Sequence, residues 1–172
     1  MRIAQVCEVF RPSRGGLETY LLQISRELVR QGHSLDVITG AIPGAPAVEY
    51  VPEGYRIIRI DYPGNWIRRA TSPGQAGMLR QLLWMPLVAR YLSRHGGDYD
   101  VVHAHLVPSA VAAVLGRQGP KLIWTSHGSY REVASETWGL PKALFYEIAE
   151  RVSVRLPYVR CITVSHRLKH LL

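Results

Sequence analysis

Short runs of uninterrupted apolar residues recur along this chain, and between several of them apolar residues return at every third or fourth position instead. That alternation limits the fold more than any other feature. A strand that is apolar on both faces must be covered on both faces, and helices between successive strands supply the cover. The pattern therefore predicts an α/β domain built on an open parallel sheet with helices on both faces. Strands are expected at residues 1–7, 34–39, 56–60, 100–105, 121–126 and 159–164. Tyr20, Leu21, Ile24 and Leu28 share the stripe of a first helix that Gly32 ends, and further helices fit 77–95, 109–117 and 142–156. In the second of these, Met78, Leu82, Met85 and Ala89 form the stripe expected to pack on the core. Segments 41–55 and 61–77 are rich in Pro and Gly and read as long surface loops.

With 172 residues, 47% of them hydrophobic, the chain can bury one substantial core. Its net charge of +8 calls for an anionic partner such as a phosphorylated substrate or an anionic lipid surface. The basic residues are scattered rather than blocked, which argues against nucleic acid. No secretory leader is visible at the start, since Glu8 and Arg11 follow the first apolar run at once. The greasy stretches 82–92 and 106–115 are broken by Pro86 and Arg90 or by Pro108 and Ser109, and they are too short to span a bilayer. Cys7 and Cys161 both fall in apolar strand runs, so buried thiols in a reducing compartment are expected. Together these features place the chain in the cytoplasm, with a peripheral contact at the inner face of a membrane left open.

Three constellations sit where predicted strands end, which is where an open parallel sheet forms its ligand crevice. The first is Arg14-Gly15-Gly16-Leu17-Glu18, between the first strand and the first helix. Paired glycines let the backbone approach a phosphate, the helix start offers free N–H groups, and Arg14 adds a charge. The same residues also suit a tight turn in which Glu18 complements the helix dipole. The spacing matches neither the G-x-G-x-x-G dinucleotide fingerprint nor a P-loop. The second constellation is the 100–105 run Asp-Val-Val-His-Ala-His, in which His103 and His105 face the same side. With His127 they are candidates for a metal site, but one core histidine and one cleft-lining histidine is the favoured reading of the pair, since a motif of this size often matches by chance. The third is Trp124-Thr125-Ser126-His127-Gly128, which holds the His127 imidazole at the crevice rim. Ser126 points to the opposite face and no G-x-S-x-G elbow exists, so a Ser-His hydrolase is disfavoured.

In order, the strand MRIAQVCEVF, the GGLE loop opening a helix, DVVHAHL, IWTSHG and the closing ITVS resemble the N-terminal, acceptor-side domain of retaining glycosyltransferases with the GT-B fold, the group 1 or family 4-like kind. The resemblance implies one half of a two-domain architecture: a Rossmann-like domain over residues 1–164, with 165–172 beginning the connection to a C-terminal donor-binding domain. It implies that the Gly15 and Gly16 amides lie near the donor diphosphate, that His127 acts beside the donor sugar hydroxyls, and that His105 lines the cleft. A nucleotide-sugar is the implied donor, as a substrate rather than a cofactor, and no metal is expected. The acceptor, a glycan or a lipid-linked one, would meet the loops after the first, third and fourth strands. Glu8, Arg14, Arg68, Arg69 and the segment near Pro108 fall there. Arg68 and Arg69 beside Trp66 and Ile67 suit an anionic acceptor or a lipid surface, and equally a solvated loop. The isolated 172-residue chain is expected to be inactive without its donor-binding domain. Two rival readings are a non-catalytic binding module docking on a separate chain through Leu168, Leu171 and Leu172, and a metal hydrolase built on the three histidines.

Overall fold

The computed structural model describes residues 1–12, 15–62, 73–128 and 157–164, with 148, 151 and 155 besides; for 73–78 it describes the backbone alone. Seven strands form one sheet: β1 Arg2–Val6, β2 Ser34–Gly40, β3 Val48–Tyr50, β4 Arg56–Ile60, β5 Val101–His105, β6 Leu122–Ser126 and β7 Arg160–Thr163. Their spatial order is β3-β4-β2-β1-β5-β6-β7. All pairs are parallel except β3 with β4. From β1 the chain first builds outward through β2 and β4, then returns to build the other way through β5, β6 and β7. Strand order reverses between β1 and β5, so the crevice opens at their carboxyl ends.

Three α-helices, α1 Gly16–Arg30, α2 Pro73–His95 and α3 Leu106–Leu115, and two short 3₁₀ helices, Gly96–Asp98 and Gly119–Lys121, connect the strands. Strand residues alternate between two buried clusters. Ala4, Val6, Ile38, Val102, Ala104 and Trp124 pack with Trp84, Val88 and Leu92 of α2 and with Ala110 and Ala113 of α3. On the other side Ile3, Cys7, Leu35, Val37 and Ile57 pack with Leu21 of α1. Helix α1 ends as its sequence dictates. Gly32 takes φ +83°, the Gly32 N–H donates to the Val29 carbonyl, and the His33 N–H donates to the Leu28 carbonyl, which closes the last turn.

The structure corrects the sequence reading at several points. Segment 41–55 is not all loop, because Val48–Tyr50 pairs antiparallel with β4 and makes an edge strand. Arg59, its side chain buried, fastens that strand by donating to Glu49 Oε2 at 2.6 Å and to the Pro46 carbonyl at 3.0 Å. The Pro108 segment is no loop: α3 starts directly at Leu106, and proline is tolerated in a first turn, where no intrahelical N–H bond is lost. The buried side of α2 runs through Trp84, Val88, Ala89 and Leu92, whereas Leu82 stays 43% exposed, so the packing stripe is turned from the one expected. Cys161 is exposed although Cys7 is buried, since β7 is the last strand of the described sheet and has no further neighbour to cover it. Of the helix expected at 142–156 only 148, 151 and 155 are described, the first two of them helical, and 165–172 fall outside the described residues. Among the described residues no helix is long and apolar enough to cross a membrane.

At the end of the sheet opposite the crevice, Asp36 of β2 is buried and saturated with donors. Arg56 approaches it through Nε at 2.7 Å and Nη2 at 2.6 Å, Tyr99 Oη donates at 2.9 Å, and Arg2 Nη2 lies at 3.3 Å. Burial alone would raise the Asp36 carboxyl, but the hydrogen bonds from Arg56 and Tyr99 outweigh it and hold the group below its ordinary range. Stability from this group is therefore present above the unfolded-state value near pH 3.9 and is lost as pH falls through the lower folded-state value. Removing the charge leaves two guanidinium groups facing an unfilled partner. Asp36→Asn should cost about 3 kcal/mol, the low end for breaking a buried pair because Arg2 and Arg56 keep access to water. Urea unfolding at pH 7 checks this.

Candidate functional site

The crevice end of the sheet gathers the residues singled out from the sequence. After β1 the chain runs through Glu8 to Gly15, which caps α1 in extended conformation, φ −159° and ψ −177°, and supplies no side-chain cap. Its carbonyl accepts the Thr19 N–H at 3.0 Å. A Cβ at Gly15 would fall 2.6 Å from Glu18 Oε2, whereas one at Gly16 would meet nothing within 4 Å. The Glu18 carboxylate thus folds back against the helix start, and Gly16 faces open space. The amides of this first turn carry the partial positive charge of the helix terminus.

Histidines form the centre. The parallel register sets His103 opposite Ile123 and His105 opposite Thr125, with Gln5 of β1 opposite His103. His103 Nε2 lies 2.7 Å from Thr125 Oγ1, and His105 Nδ1 lies 3.0 Å from His127 Nε2. The His103 and His105 rings are 4.2 Å apart between centroids, and the His105 and His127 rings 5.3 Å. Tyr20, one turn into α1 from Gly16, meets His127 edge-on at 4.9 Å and His105 at 5.9 Å. The start of α1 and the end of β6 are thereby joined through one aromatic contact. His105 has no exposed surface, while His127 is half-buried. His105 was expected to line the cleft; its ring is wholly buried and bonded to the half-buried His127, with α3 beginning at the very next residue.

Glu8 is also brought to this end. Its carbonyl accepts the Gly40 N–H at 2.9 Å and the Thr39 hydroxyl at 3.1 Å, and its carboxylate pairs with Arg80 of α2 at 3.1 Å. Arg80 Nε also donates to Tyr62 Oη at 3.1 Å. Burial raises the Glu8 carboxyl above its ordinary value against the pull of Arg80. Arg14, Arg68 and Arg69 lie outside the described residues. Sequence reasoning missed Tyr20, Thr125, Arg80 and Tyr62. The spacing of Tyr20 to Gly16 on α1 and the strand alternation that sets Thr125 beside His105 were the available signals, but partners across elements could not be named from them.

Among the described residues no group of three His, Cys, Asp or Glu is placed to hold a metal ion. His103 Nε2 is turned to Thr125, and His105 Nδ1 and His127 Nε2 are turned to each other. Ser126 also stays apart from His127, its hydroxyl lying 3.3 Å from the Gly128 carbonyl.

Desolvation dominates the titration of this cluster. Burial pushes His127 down to about 4, and burial with the neighbouring His127 charge pushes His103 down to about 4. Burial, then His103 and His127, hold His105 well below its ordinary value. All three are neutral at pH 7, facing one another, Tyr20 and Thr125. Protons bind the unfolded chain first, so stability is full above about pH 6.5 and falls as pH drops from there toward 4. NMR titration of the ring protons should show His103 and His127 unprotonated at pH 5.5, and the unfolding midpoint should drop across the same window.

A protein-family model described as Glycosyltransferase Family 4 matches residues 14–172. The phosphatidyl-myo-inositol mannosyltransferase of Mycobacterium tuberculosis is 25% identical over 158 residues, which is 90% of this chain and 39% of that protein. A phosphatidylinositol N-acetylglucosaminyltransferase protein of Arabidopsis thaliana is 26% identical over 154 residues, 87% of this chain and 32% of that protein. Sucrose-phosphate synthase from Thermosynechococcus elongatus superposes with a TM-score of 0.60 at 18% identity, covering 94% of this chain and 46% of that one. The catalytic domain of starch synthase IV from Arabidopsis thaliana gives 0.54 at 16% identity, covering 82% of this chain and 38% of that one. This chain thus spans less than half the length of each of these relatives and neighbours. The structural likeness shows the fold, the Rossmann-like half of a GT-B architecture, and with the family model matched over most of its length the chain belongs to Glycosyltransferase Family 4.

Proposed function

We propose that this chain is the acceptor-side half of a retaining glycosyltransferase that moves a sugar from a nucleotide-sugar to a lipid-linked or glycan acceptor, and that a second domain holds most of the donor nucleotide. The observation that carries the reading is the edge-on contact of Tyr20 with His127 at 4.9 Å, because it joins the open helix start at Gly15 and Gly16 to the crevice-rim histidine. A donor diphosphate placed at that helix start would lie in the partial positive charge of α1, with its sugar beside His127. Breaking the bond between the anomeric carbon and the diphosphate builds negative charge on the leaving oxygen. The Gly15 and Gly16 amides stabilise charge developing at that place. The acceptor oxygen then bonds to the anomeric carbon on the face the diphosphate leaves, and its proton passes to the departing phosphate.

His127 is neutral at pH 7 and so serves as a hydrogen-bonding partner for a sugar hydroxyl rather than as a cation for the phosphate. The Glu8–Arg80–Tyr62 cluster stands on the side of the crevice where β1, β2 and β4 end, the side expected to receive the acceptor. Two relatives carry phosphatidylinositol in their names, which supports a lipid-linked acceptor over a soluble glycan. Exposed Leu79 and Leu82 on α2, with Arg90 and Arg94 further along it, support a peripheral membrane contact in the same reading.

Gly16→Ala separates this role from a merely structural one. A Cβ there meets nothing, so unfolding stability should stay within about 0.5 kcal/mol, while transfer should fall if a diphosphate approaches the backbone. His127→Ala should lower turnover on the order of 100-fold. The direct test expresses the chain alone and together with the sequence encoded immediately downstream, and assays both against a panel of nucleotide-sugars. Turnover only in the combination supports the half-enzyme reading; turnover by the 172 residues alone contradicts the placement of the donor site.

A further inference from the structure

His105 does more than fill space behind His127. One of its nitrogens, Nδ1, lies 3.0 Å from His127 Nε2. The other, Nε2, is buried and meets no hydrogen-bond partner among the described residues. An orphaned buried N–H is rarer than an orphaned lone pair, so the single proton of neutral His105 belongs on Nδ1, where it has an acceptor. His105 is then the donor and His127 Nε2 the acceptor. A neutral His127 whose Nε2 accepts must carry its own proton on Nδ1.

The surroundings of His105 are built to hold that arrangement. Its ring is tilted 41° against His103 at 4.2 Å, and His103 is itself tied to Thr125 at 2.7 Å. Tyr20 also meets the ring, edge-on at 5.9 Å and 66°. The next residue, Leu106, takes φ +67°, a left-handed conformation that costs a leucine energy and turns the chain straight from β5 into α3. That turn leaves the His105 backbone no slack.

We propose that His105 is a positioning residue for His127: through the Nδ1···Nε2 hydrogen bond it fixes the His127 ring and keeps its proton on Nδ1, so that His127 offers a sugar oxygen an N–H donor. This inference rests on the reading of His127 as the residue beside the donor sugar. Burial of both rings supports it by keeping them neutral across the working range of pH.

The test reads the tautomer directly, without substrate, by long-range proton–nitrogen NMR of the histidine rings in the 172-residue chain near pH 7. The expected result is that His127 is dominantly the Nδ1–H form, the tautomer a free histidine side chain favours less. His105→Phe keeps a ring but removes the donor, and should make the Nε2–H form of His127 dominant. His105→Asn places an amide N–H where Nδ1 stood and should keep the Nδ1–H form. In the combined protein, transfer should drop roughly 2- to 10-fold for His105→Phe, the worth of one neutral hydrogen bond, and recover in His105→Asn. A wild-type His127 found in the Nε2–H form overturns the inference even if His105→Phe does not fold, as does a folded His105→Phe with an unchanged tautomer. If the tautomer shifts as expected but His127→Ala transfers sugar normally, the positioning stands and the functional reading fails. If His127→Ala is inactive and the tautomer is unmoved, the functional reading stands and the positioning fails.

Discussion

The site depends on the parallel register of β5 with β6. Opposite residues are His103 with Ile123 and His105 with Thr125, yet the side-chain bonds run diagonally, His103 to Thr125 and His105 to His127, each two residues past the partner in register. The slant carries the hydrogen bonding outward, from the sheet interior to the crevice rim. A slip of one residue would move both histidines of β5 to the α2–α3 face, where Ala104 and Val102 now pack. Register is held against that slip because both faces of the sheet are buried, so every misplaced side chain meets an apolar cluster of the wrong shape.

The two ends of the sheet solve electrostatics differently. At the amino end, Asp36 keeps its charge because Arg2, Arg56 and Tyr99 all donate to it, and the charge in turn links β1, β2, β4 and the turn before β5. At the carboxyl end the histidines are kept uncharged by burial and are linked only by neutral hydrogen bonds and ring contacts. Charge fixes the scaffold at one end; at the other, the Glu8–Arg80 pair apart, the histidines stay neutral polar groups, and a charged ligand would bring its own field. The loop at Arg11 is fastened in the first manner, with Glu53 accepting from Arg11 at 2.5 Å and from Arg26 of α1 at 3.0 Å. The chain at Arg11 is thus tied to Glu53 and α1.

Much of the sheet was legible in the sequence because its parallel strands are covered on both faces and read as unbroken apolar runs. β1, β2, β4, β5 and β6 lie within a residue or two of where those runs place them. The edge strand β3 was not legible: its Val48–Glu49–Tyr50 is short and half exposed, and what makes it a strand is Arg59 and the β4 ladder, neither of which is local. The rotated stripe of α2 was missed for a related reason, since Trp84 fills the core by size while helical spacing alone weights Leu82 equally. At the site, residue types and strand ends pointed to His103, His105 and His127. Sequence could not show that the His105 ring is wholly buried, because the left-handed turn at Leu106 carries the chain into α3 with no linker. Tyr20 belonged to the apolar stripe of α1 by its spacing, and only the approach of α1 to β6 reveals it as part of the crevice.

The central claim is that one crevice, between the start of α1 and the end of β6, receives the reacting end of a nucleotide-sugar. The most direct measurement is a crystal structure of the protein that carries this chain, with the donor-binding domain proposed for it, bound to a non-hydrolysable nucleotide-sugar. The account predicts the diphosphate within hydrogen-bonding distance of the Gly15 or Gly16 amide and a sugar hydroxyl within reach of His127. A nucleotide-sugar bound with neither contact, its anomeric carbon away from the carboxyl ends of β1, β5 and β6, would contradict it.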